Sequence, residues 1–197
     1  YTSCFTYLSG EHRYLHSFPT RRSSDLKQLS YVPADRHKYG LVHPMKIREK
    51  VVIGYHDKTP FCGSINLNHQ EIDNHSRFLV SQFDIRTSGI AYPAETLSGG
   101  NQQKLIIARE FSREPEFLLI SQPTRGVDVG AIEYIHNRIL EMRSKDVAIL
   151  LISLELEEIF SLSDRILVIY EGKIVKEFIP ADTTDKEVGF YMTGGKE

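Results

Sequence analysis

Apolar residues along the chain alternate between short continuous runs and helical spacings, and this alternation predicts the order of the elements. Runs such as FLLIS and VAILLIS are typical of strands buried on both faces. Amphipathic segments with apolar residues three and four apart stand between them. The pattern indicates an α/β fold with a parallel sheet. Predicted strands cover 29–33, 117–121, 147–153, 165–170 and 173–179, and predicted helices cover 68–83, 101–114, 129–145 and 155–160.

Two predictions are more detailed. In the helix over 68–83, Ile72, Phe78, Leu79 and Phe83 are expected on the buried side. The last two strands are separated by Glu171–Gly172, a pair suited to a tight two-residue turn. The sequence therefore predicts a hairpin at one edge of the sheet.

The first 26 residues differ from the rest of the chain. They have no apolar period, are crowded with Ser, Arg, His and aromatic residues, and lack the apolar core of a signal peptide. Within them, YLHSFPTRRSSDL closely resembles translated sequencing-adapter sequence. We expect residues 1–26 to be a non-native segment, with a disordered polar tail as the alternative, and to be protease-sensitive and removable. The domain itself is expected at 27–197.

Composition sets wide limits on function. The 197 residues are 41% hydrophobic and 25% charged, which suits one globular domain. A net charge of −2 gives no electrostatic indication of a nucleic-acid partner. Cys4 and Cys62 form no disulfide framework, which favours a reducing compartment. His69 and His75 are six apart on a predicted helix and face different sides, so no metal site is expected.

The segment LSGGNQQK, residues 97–104, has the make-up of an anion site. Ser98 offers a hydroxyl, while Gly99 and Gly100 allow close approach to the backbone because they have no Cβ. The helix predicted to begin near Asn101 points its free N–H groups and positive dipole end outward. The alternative is a glycine-rich turn that merely starts a helix.

The segment 97–104 is similar to the signature motif of ATP-binding cassette (ABC) proteins. FLLISQPTRGVD at 117–128 stands where such a domain keeps its Walker B strand and D-loop, and 151–174 resembles the switch segment and closing strands. With YVPADRHKYGLV at 31–42, the chain is similar to the second cassette of tandem importers for nucleosides and simple sugars. The resemblance covers roughly 29–193. It implies a partial P-loop-type nucleotide-binding domain, with a largely parallel sheet flanked by helices and a helical signature subdomain at about 44–113.

In this family the signature loop grips the γ-phosphate of ATP bound to the opposite cassette of a dimer. The resemblance therefore implies that Ser98, Gly99, Gly100 and Gln102 are presented to a partner, and that Asp128 on the D-loop crosses the dimer interface. An ordinary solvated pair of Arg125 and Asp128 that caps the next helix is the alternative.

The chain departs from the family pattern on its own nucleotide face. No G-x-x-x-x-G-K-[ST] segment is present, and the nearest approach, at 189–197, has the wrong spacing and ends in Glu197. Since the family places Walker A upstream of 29–33, the chain is expected to be a truncated cassette. Further departures lie at positions where the family has a functional side chain. Ser121 stands where the family has the metal-binding aspartate, Gln122 where it has the catalytic carboxylate, and Leu154 where it has the switch histidine. Ala34, with Asp35 beside it, stands where the family has the Q-loop glutamine.

These observations lead to an expected function. The chain is expected to be an ATP-binding subunit of a nucleoside or sugar importer, peripheral on the cytoplasmic face of the membrane and inactive alone. ATP and Mg²⁺ would be bound mainly by a companion ABC cassette. Membrane-spanning permease subunits would be direct partners, and an extracellular solute-binding protein an indirect one. The alternatives are a non-transport ABC ATPase acting on a macromolecular machine and a catalytically silent dimerisation module.

Overall fold

The protein is described by a computed structural model, which covers the backbone of residues 3–8 and, with side chains, residues 29–41, 44–63 and 66–195. The chain divides into two compact units. Unit 1 contains the described residues of Tyr1–Ala34, Glu114–Pro123 and Glu133–Glu197. Unit 2 contains those of Asp35–Arg113 and Thr124–Ile132.

Unit 1 is built on a six-stranded sheet. The strands are β1 Ser3–Leu8, β2 Leu29–Val32, β3 Phe117–Ser121, β4 Ala148–Ser153, β5 Arg165–Tyr170 and β6 Lys173–Phe178. Their order in the sheet is β2-β3-β4-β1-β5-β6. β2, β3 and β4 are parallel, with Leu118 opposite Ile149 in the β3–β4 register. β1 is antiparallel to both of its neighbours, β4 and β5, and β6 is antiparallel to β5.

The core of unit 1 lies between this sheet and its helices. α4 (Val129–Ser144, shared between the units), α5 (Leu156–Leu162) and α6 (Asp185–Met192) supply buried aliphatic side chains. Along β3 and β4 fully buried residues alternate with half-buried ones. One face of these strands is therefore fully covered, and the opposite face is partly covered. The fully buried side chains of unit 1 include Leu118, Ile120, Ile135, Ile139, Ile149, Leu151, Ile159, Ile166, Val168 and Val188.

The edge hairpin is confirmed. β5 and β6 pair through Tyr170 and Lys173, so Glu171 and Gly172 form the two-residue turn. Both have positive φ, 47° and 78° respectively. This is the combination that matches the twist of the flanking strands, and glycine adopts it without a steric cost. α6 was not predicted from the sequence.

Unit 2 is helical. It contains α1 (Ile47–Lys50), α2 (His69–Gln82), α3 (Gly99–Phe111), a π-type turn at Arg36–Gly40 and the first turn of α4. The Asn68 side chain caps α2 by accepting from the Glu71 amide. Ile72, Leu79 and Phe83 are buried as predicted, but Phe78 is 59% exposed and does not belong to the buried side. The bounds of the signature subdomain, 44–113, stay a prediction.

The expectation that residues 1–26 lie outside the fold is wrong for residues 3–8. These residues form β1, paired on one side with 149–153 and on the other with 165–169. The reason is that β4 and β5 each present main-chain groups that need partners in the sheet. Thr6 and its aromatic neighbours Phe5 and Tyr7 are residue types with high strand propensity. Residues 9–28 lie outside the described range, and the non-native origin of 1–26 stays a prediction.

Thr6 provides a test of this central pairing. It stands opposite Leu151 on β4 and Ile166 on β5. Thr6→Pro removes a main-chain donor from the middle of the sheet and leaves its acceptor without a partner, at a cost of about 1–3 kcal/mol. We expect the melting temperature to fall by about 2–12 °C, since about 2–4 °C corresponds to 1 kcal/mol at this size.

Thr6→Val is the matched control, because it preserves the backbone donor and the strand propensity. We expect its melting temperature to equal that of the unaltered chain, measured by circular dichroism. An unchanged melting temperature in Thr6→Pro would contradict the pairing and restore the interpretation of residues 1–26 as a segment outside the fold.

Candidate functional site

Two loops of unit 2 contain four of the predicted site residues, Ser98, Gly99, Gly100 and Asp128: the signature loop, Leu97–Asn101, and the D-loop, Thr124–Asp128. Ser98 stands at the N-cap of α3 with an exposed side chain. Its Oγ accepts a hydrogen bond from Nδ2 of Asn101 at 2.9 Å, and Oδ1 of Asn101 accepts from the amide of Arg86 at 2.9 Å. The Ser98 hydroxyl is thus held in place as an acceptor and keeps its own proton for donation.

Gly99 and Gly100 allow the two loops to come into close contact. A Cβ on Gly99 would lie 2.9 Å from Nη2 of Arg36 and 3.1 Å from the carbonyl oxygen of Gly126. A Cβ on Gly100 would lie 2.9 Å from Oδ2 of Asp128. Real Cβ atoms do not tolerate such distances without a shift of the neighbouring group. The sequence assigned both glycines to close approach by a phosphate, and the structure shows close approach by the chain's own D-loop.

Asp128 caps α4. Its Oδ1 accepts from the amide of Ala131 at 3.0 Å, which is the capping arrangement that the sequence left open as an alternative. The residue is exposed, and the carbonyl of the neighbouring Arg125 is engaged inside the unit. Capping fixes the carboxylate beside Gly100, so the end of the D-loop and the start of α3 form one small surface. Whether this surface meets a partner stays a prediction.

The placement of Gln102 differs from the expectation. Its side chain was expected to face a partner, but the residue is 6% exposed and its Nε2 donates to the carbonyl of Leu97 at 3.0 Å. Gln102 therefore supports the signature loop from inside the unit. Two residues further on, Nζ of Lys104 binds both the carboxylate and the carbonyl oxygen of Asp84 at 3.0 Å, which anchors α3.

Asp35, which lies beside the Q-loop position Ala34, caps the Arg36–Gly40 turn. Its Oδ1 accepts from the amides of His37 and Lys38, each at 3.0 Å. The Lys38 amide hydrogen bond is the main cause that holds the pKa of the Asp35 carboxyl below its usual value. The half-buried Ala34 precedes it in unit 1. The carboxylate thus orients the Arg36–Gly40 turn.

Sequence reasoning missed Arg36. Its Nη1 donates to the carbonyl of Arg125 at 2.9 Å, and Nη2 lies 3.5 Å from the carbonyl of Gly126. An arginine in a polar loop is ordinarily interpreted as a charge exposed to solvent. The partners of Arg36 are about 90 residues away in the sequence, so no local pattern indicates them. The nearest sequence signal is the position itself, directly after the capping residue Asp35.

Unit 1 holds the three predicted departures from a hydrolytic site. Ser121 ends β3, Gln122 follows it, and Leu154 follows the end of β4. Because β3 and β4 are parallel, with Ser121 opposite Ile152, these positions share the carboxyl edge of the sheet. Gln122 has φ 49° and its amide donates to the carbonyl of Ile152 at 2.8 Å, while Leu154 is 53% exposed. None of the three side chains provides a carboxylate or an imidazole.

The residues that the structure describes contain no group of three or more His, Cys, Asp or Glu residues placed to hold a metal ion. No helix among them is long and apolar enough to cross a membrane.

The chain is similar to ATP-binding proteins of import systems. It is 47% identical over 169 residues to the nucleoside import ATP-binding protein NupA of Lactococcus lactis, and 44% identical over 169 residues to the guanosine import ATP-binding protein NupO of Bacillus subtilis. Each comparison covers 86% of this chain and 33% of the relative. The chain therefore spans about a third of the length of these relatives. No family model matches it.

Solved structures agree on the fold. The ATP-binding cassette MJ0796, in a dimeric post-hydrolysis state bound to ADP and Pi, matches with a TM-score of 0.65. The match has 17% sequence identity and covers 82% of this chain and 68% of that chain. The predicted fold class, a partial ABC nucleotide-binding domain, is confirmed, and so is the resemblance to ABC proteins.

Gly100→Ala tests the close contact between the loops. The new methyl group would have to displace the Asp128 carboxylate from its capping position, and we expect a loss of about 1–3 kcal/mol in the free energy of unfolding. The measurement is urea denaturation followed by circular dichroism.

Gly189→Ala is the matched control. Gly189 lies inside α6, and a Cβ there would meet nothing within 4 Å. We expect a gain of about 0.5–1 kcal/mol from the higher helix propensity of alanine. Equal effects of the two substitutions would contradict the proposed crowding at Gly100.

Proposed function

We propose that this chain is part of an ATP-binding cassette protein and completes a composite ATP site in an importer by donating its signature loop. A companion cassette would supply the Walker A loop, the Walker B aspartate, the catalytic carboxylate and the switch histidine. The single observation that carries this proposal is the contrast between the two units. Unit 2 holds a braced signature loop and D-loop, whereas unit 1 has Ser121, Gln122 and Leu154 at its strand ends.

The signature loop fits a phosphate. Ser98 is exposed and retains a hydroxyl proton, and it stands directly before the first turn of α3. The first amides of a helix lack intrahelical partners, and the helix dipole favours a negative charge at this end. Such a loop can stabilise the charge on a terminal phosphate when a partner brings the nucleotide to it.

The strand ends of unit 1 do not fit Mg²⁺. The ion prefers hard oxygen ligands, usually including a carboxylate, and neither Ser121 nor Gln122 provides one. Gln122 can orient a water molecule through its amide but cannot accept the water's proton. The methyl groups of Leu154 offer no donor to a phosphate. We therefore place the metal and the chemical step on the companion cassette.

The relatives suggest the cargo. NupA is named as a nucleoside import protein and NupO as a guanosine import protein. The ATP-binding protein TsgD13 of Haloferax volcanii, which is 43% identical to this chain, is named as a glucose import protein. By this relationship the transported solute is a nucleoside or a simple sugar. Membrane-spanning permease subunits would hold the assembly at the cytoplasmic face of the membrane, and a solute-binding protein would deliver the solute from outside.

The isolated chain is expected to show no ATP turnover above background, and Gln122→Glu is expected to leave it inactive. Catalytic groups act as a unit, so restoring one carboxylate without a Walker A loop and a switch histidine gains little. The measurement is steady-state phosphate release, with a complete ABC ATPase assayed in parallel. A turnover on the order of 1 s⁻¹ that survives repurification would contradict the proposal.

Ser98→Arg tests the proposed donation in an assembly of the chain with a companion cassette and permease. A bulky cation at this position blocks the space that a γ-phosphate and the helix start must share. We expect most ATP turnover and uptake to be lost, while nucleotide binding to the companion's Walker A persists because the signature loop engages only on closure.

Ser121→Ala is the control in the same assembly, because the position already lacks a metal-binding carboxylate. We expect nearly full turnover and uptake from it. A harmless Ser98→Arg together with a damaging Ser121→Ala would reverse the assignment of the two faces. Loss of activity in neither variant would favour the catalytically silent dimerisation module instead.

A further inference from the structure

We infer that Arg36 is a positioning residue that fixes the D-loop against the signature loop. Its Nη1 donates to the carbonyl of Arg125 at 2.9 Å, and its Nη2 lies 3.5 Å from the carbonyl of Gly126. Both carbonyls belong to the D-loop, and Arg36 belongs to the turn that follows β2. One guanidinium therefore spans two consecutive carbonyls of a loop that has no regular structure of its own.

The same guanidinium also contacts the start of α3. A Cβ on Gly99 would lie 2.9 Å from Nη2 of Arg36 and 3.5 Å from its Cζ. The glycine at this position allows the side chain of Arg36 to pass directly beside the signature loop. Arg36 thus touches both loops at once, and its Nε is buried without a protein partner among the described residues.

A cation in this place is informative because the N-terminal end of a helix is already positive, and an added positive charge there is unfavourable. The two D-loop carbonyls offset part of this repulsion. An anion that arrives at Ser98 would meet both the helix end and the guanidinium. The arrangement is therefore better suited to a loop that receives a phosphate than to a turn that only starts a helix.

The turn that carries Arg36 is itself held at both ends. Asp35 caps its beginning through the amides of His37 and Lys38. At its other end the carbonyl of Gly40 accepts from Nη1 of Arg109 on α3 at 3.0 Å. A displacement of the turn would therefore move the D-loop through Arg36 and move α3 through Arg109. The positioning role of Arg36 in catalysis rests on the proposed function of the signature loop.

The first test uses the isolated chain and does not depend on that function. Arg36→Met keeps the length of the side chain but removes its donors, and Arg36→Lys restores a cationic donor. We expect amide hydrogen exchange, measured by NMR, to become about tenfold faster at Val127 and Ala131 in the methionine variant. The lysine variant is expected to recover part of the protection.

Arg77→Met is the control within the same unit, because Arg77 contacts Asp73 and Asn74 on α2. We expect unchanged exchange at Val127 and Ala131 in this variant. Circular dichroism establishes that all three variants are folded. Unchanged exchange in Arg36→Met would overturn the inference, whatever the activity measurements give.

The second test uses the assembly with a companion cassette. A misplaced signature loop weakens the closed, reacting state, whereas the initial binding of ATP depends on the companion. We therefore expect Arg36→Met to lower kcat about tenfold with KM for ATP changed less than twofold, and Arg36→Lys to recover most of kcat. The concentration of folded assembly is determined for each variant and used to calculate kcat, because a smaller folded fraction would lower the apparent kcat without changing KM.

Ser98→Arg in the same assembly separates the two hypotheses. If Ser98→Arg abolishes turnover and Arg36→Met leaves kcat unchanged, the positioning role of Arg36 is wrong and the proposed function stands. If Ser98→Arg is harmless, the proposed function has failed, and faster exchange in Arg36→Met then supports only the contact between the loops. Loss of kcat in both variants, with lysine rescue, supports both hypotheses.

Discussion

The signature loop and the D-loop lie so close together that a Cβ on Gly99 or Gly100 would lie 2.9 Å from the end of the Arg36 or the Asp128 side chain, which would have to move. The organisation of this part of unit 2 depends on that constraint. With no side chain at position 99 the Arg36 guanidinium passes beside the start of α3, and with none at position 100 the Asp128 carboxylate keeps its place as the cap of α4. The two glycines therefore act first on the chain's own packing, and any contact with a phosphate is made by a surface that this packing has already shaped.

The residues that depart from the pattern of a hydrolytic cassette lie at positions where a substitution changes the free energy of unfolding little. Ser121, Gln122 and Leu154 are at or just beyond the ends of β3 and β4, and they are half-buried or exposed. The fully buried residues of these strands, such as Leu118 and Ile149, are apolar and pack as in any α/β domain. A sheet can thus keep its architecture while the side chains at its edge change the chemistry it supports.

Much of the fold could be predicted from the sequence because its signal is local. Continuous apolar runs identified β3, β4 and β5, and a turn pair identified the hairpin. Phe78 was misplaced because apolar spacing does not distinguish a buried residue from an exposed one at the margin of a helix face. Arg36 and β1 were missed because both depend on partners distant in the sequence. Likewise, the burial of Gln102 depends on how the whole of α3 is enclosed.

The place of β1 in the sheet has a consequence for the continuity of the sheet. β4 and β5 hold residues 3–8 through main-chain pairing, which does not require a particular side-chain sequence. The direction of β1 is opposite to that of both neighbours, β4 and β5. Without this strand the main-chain groups along the facing edges of β4 and β5 would lack partners in the middle of the sheet, so the continuity of the sheet depends on residues 3–8.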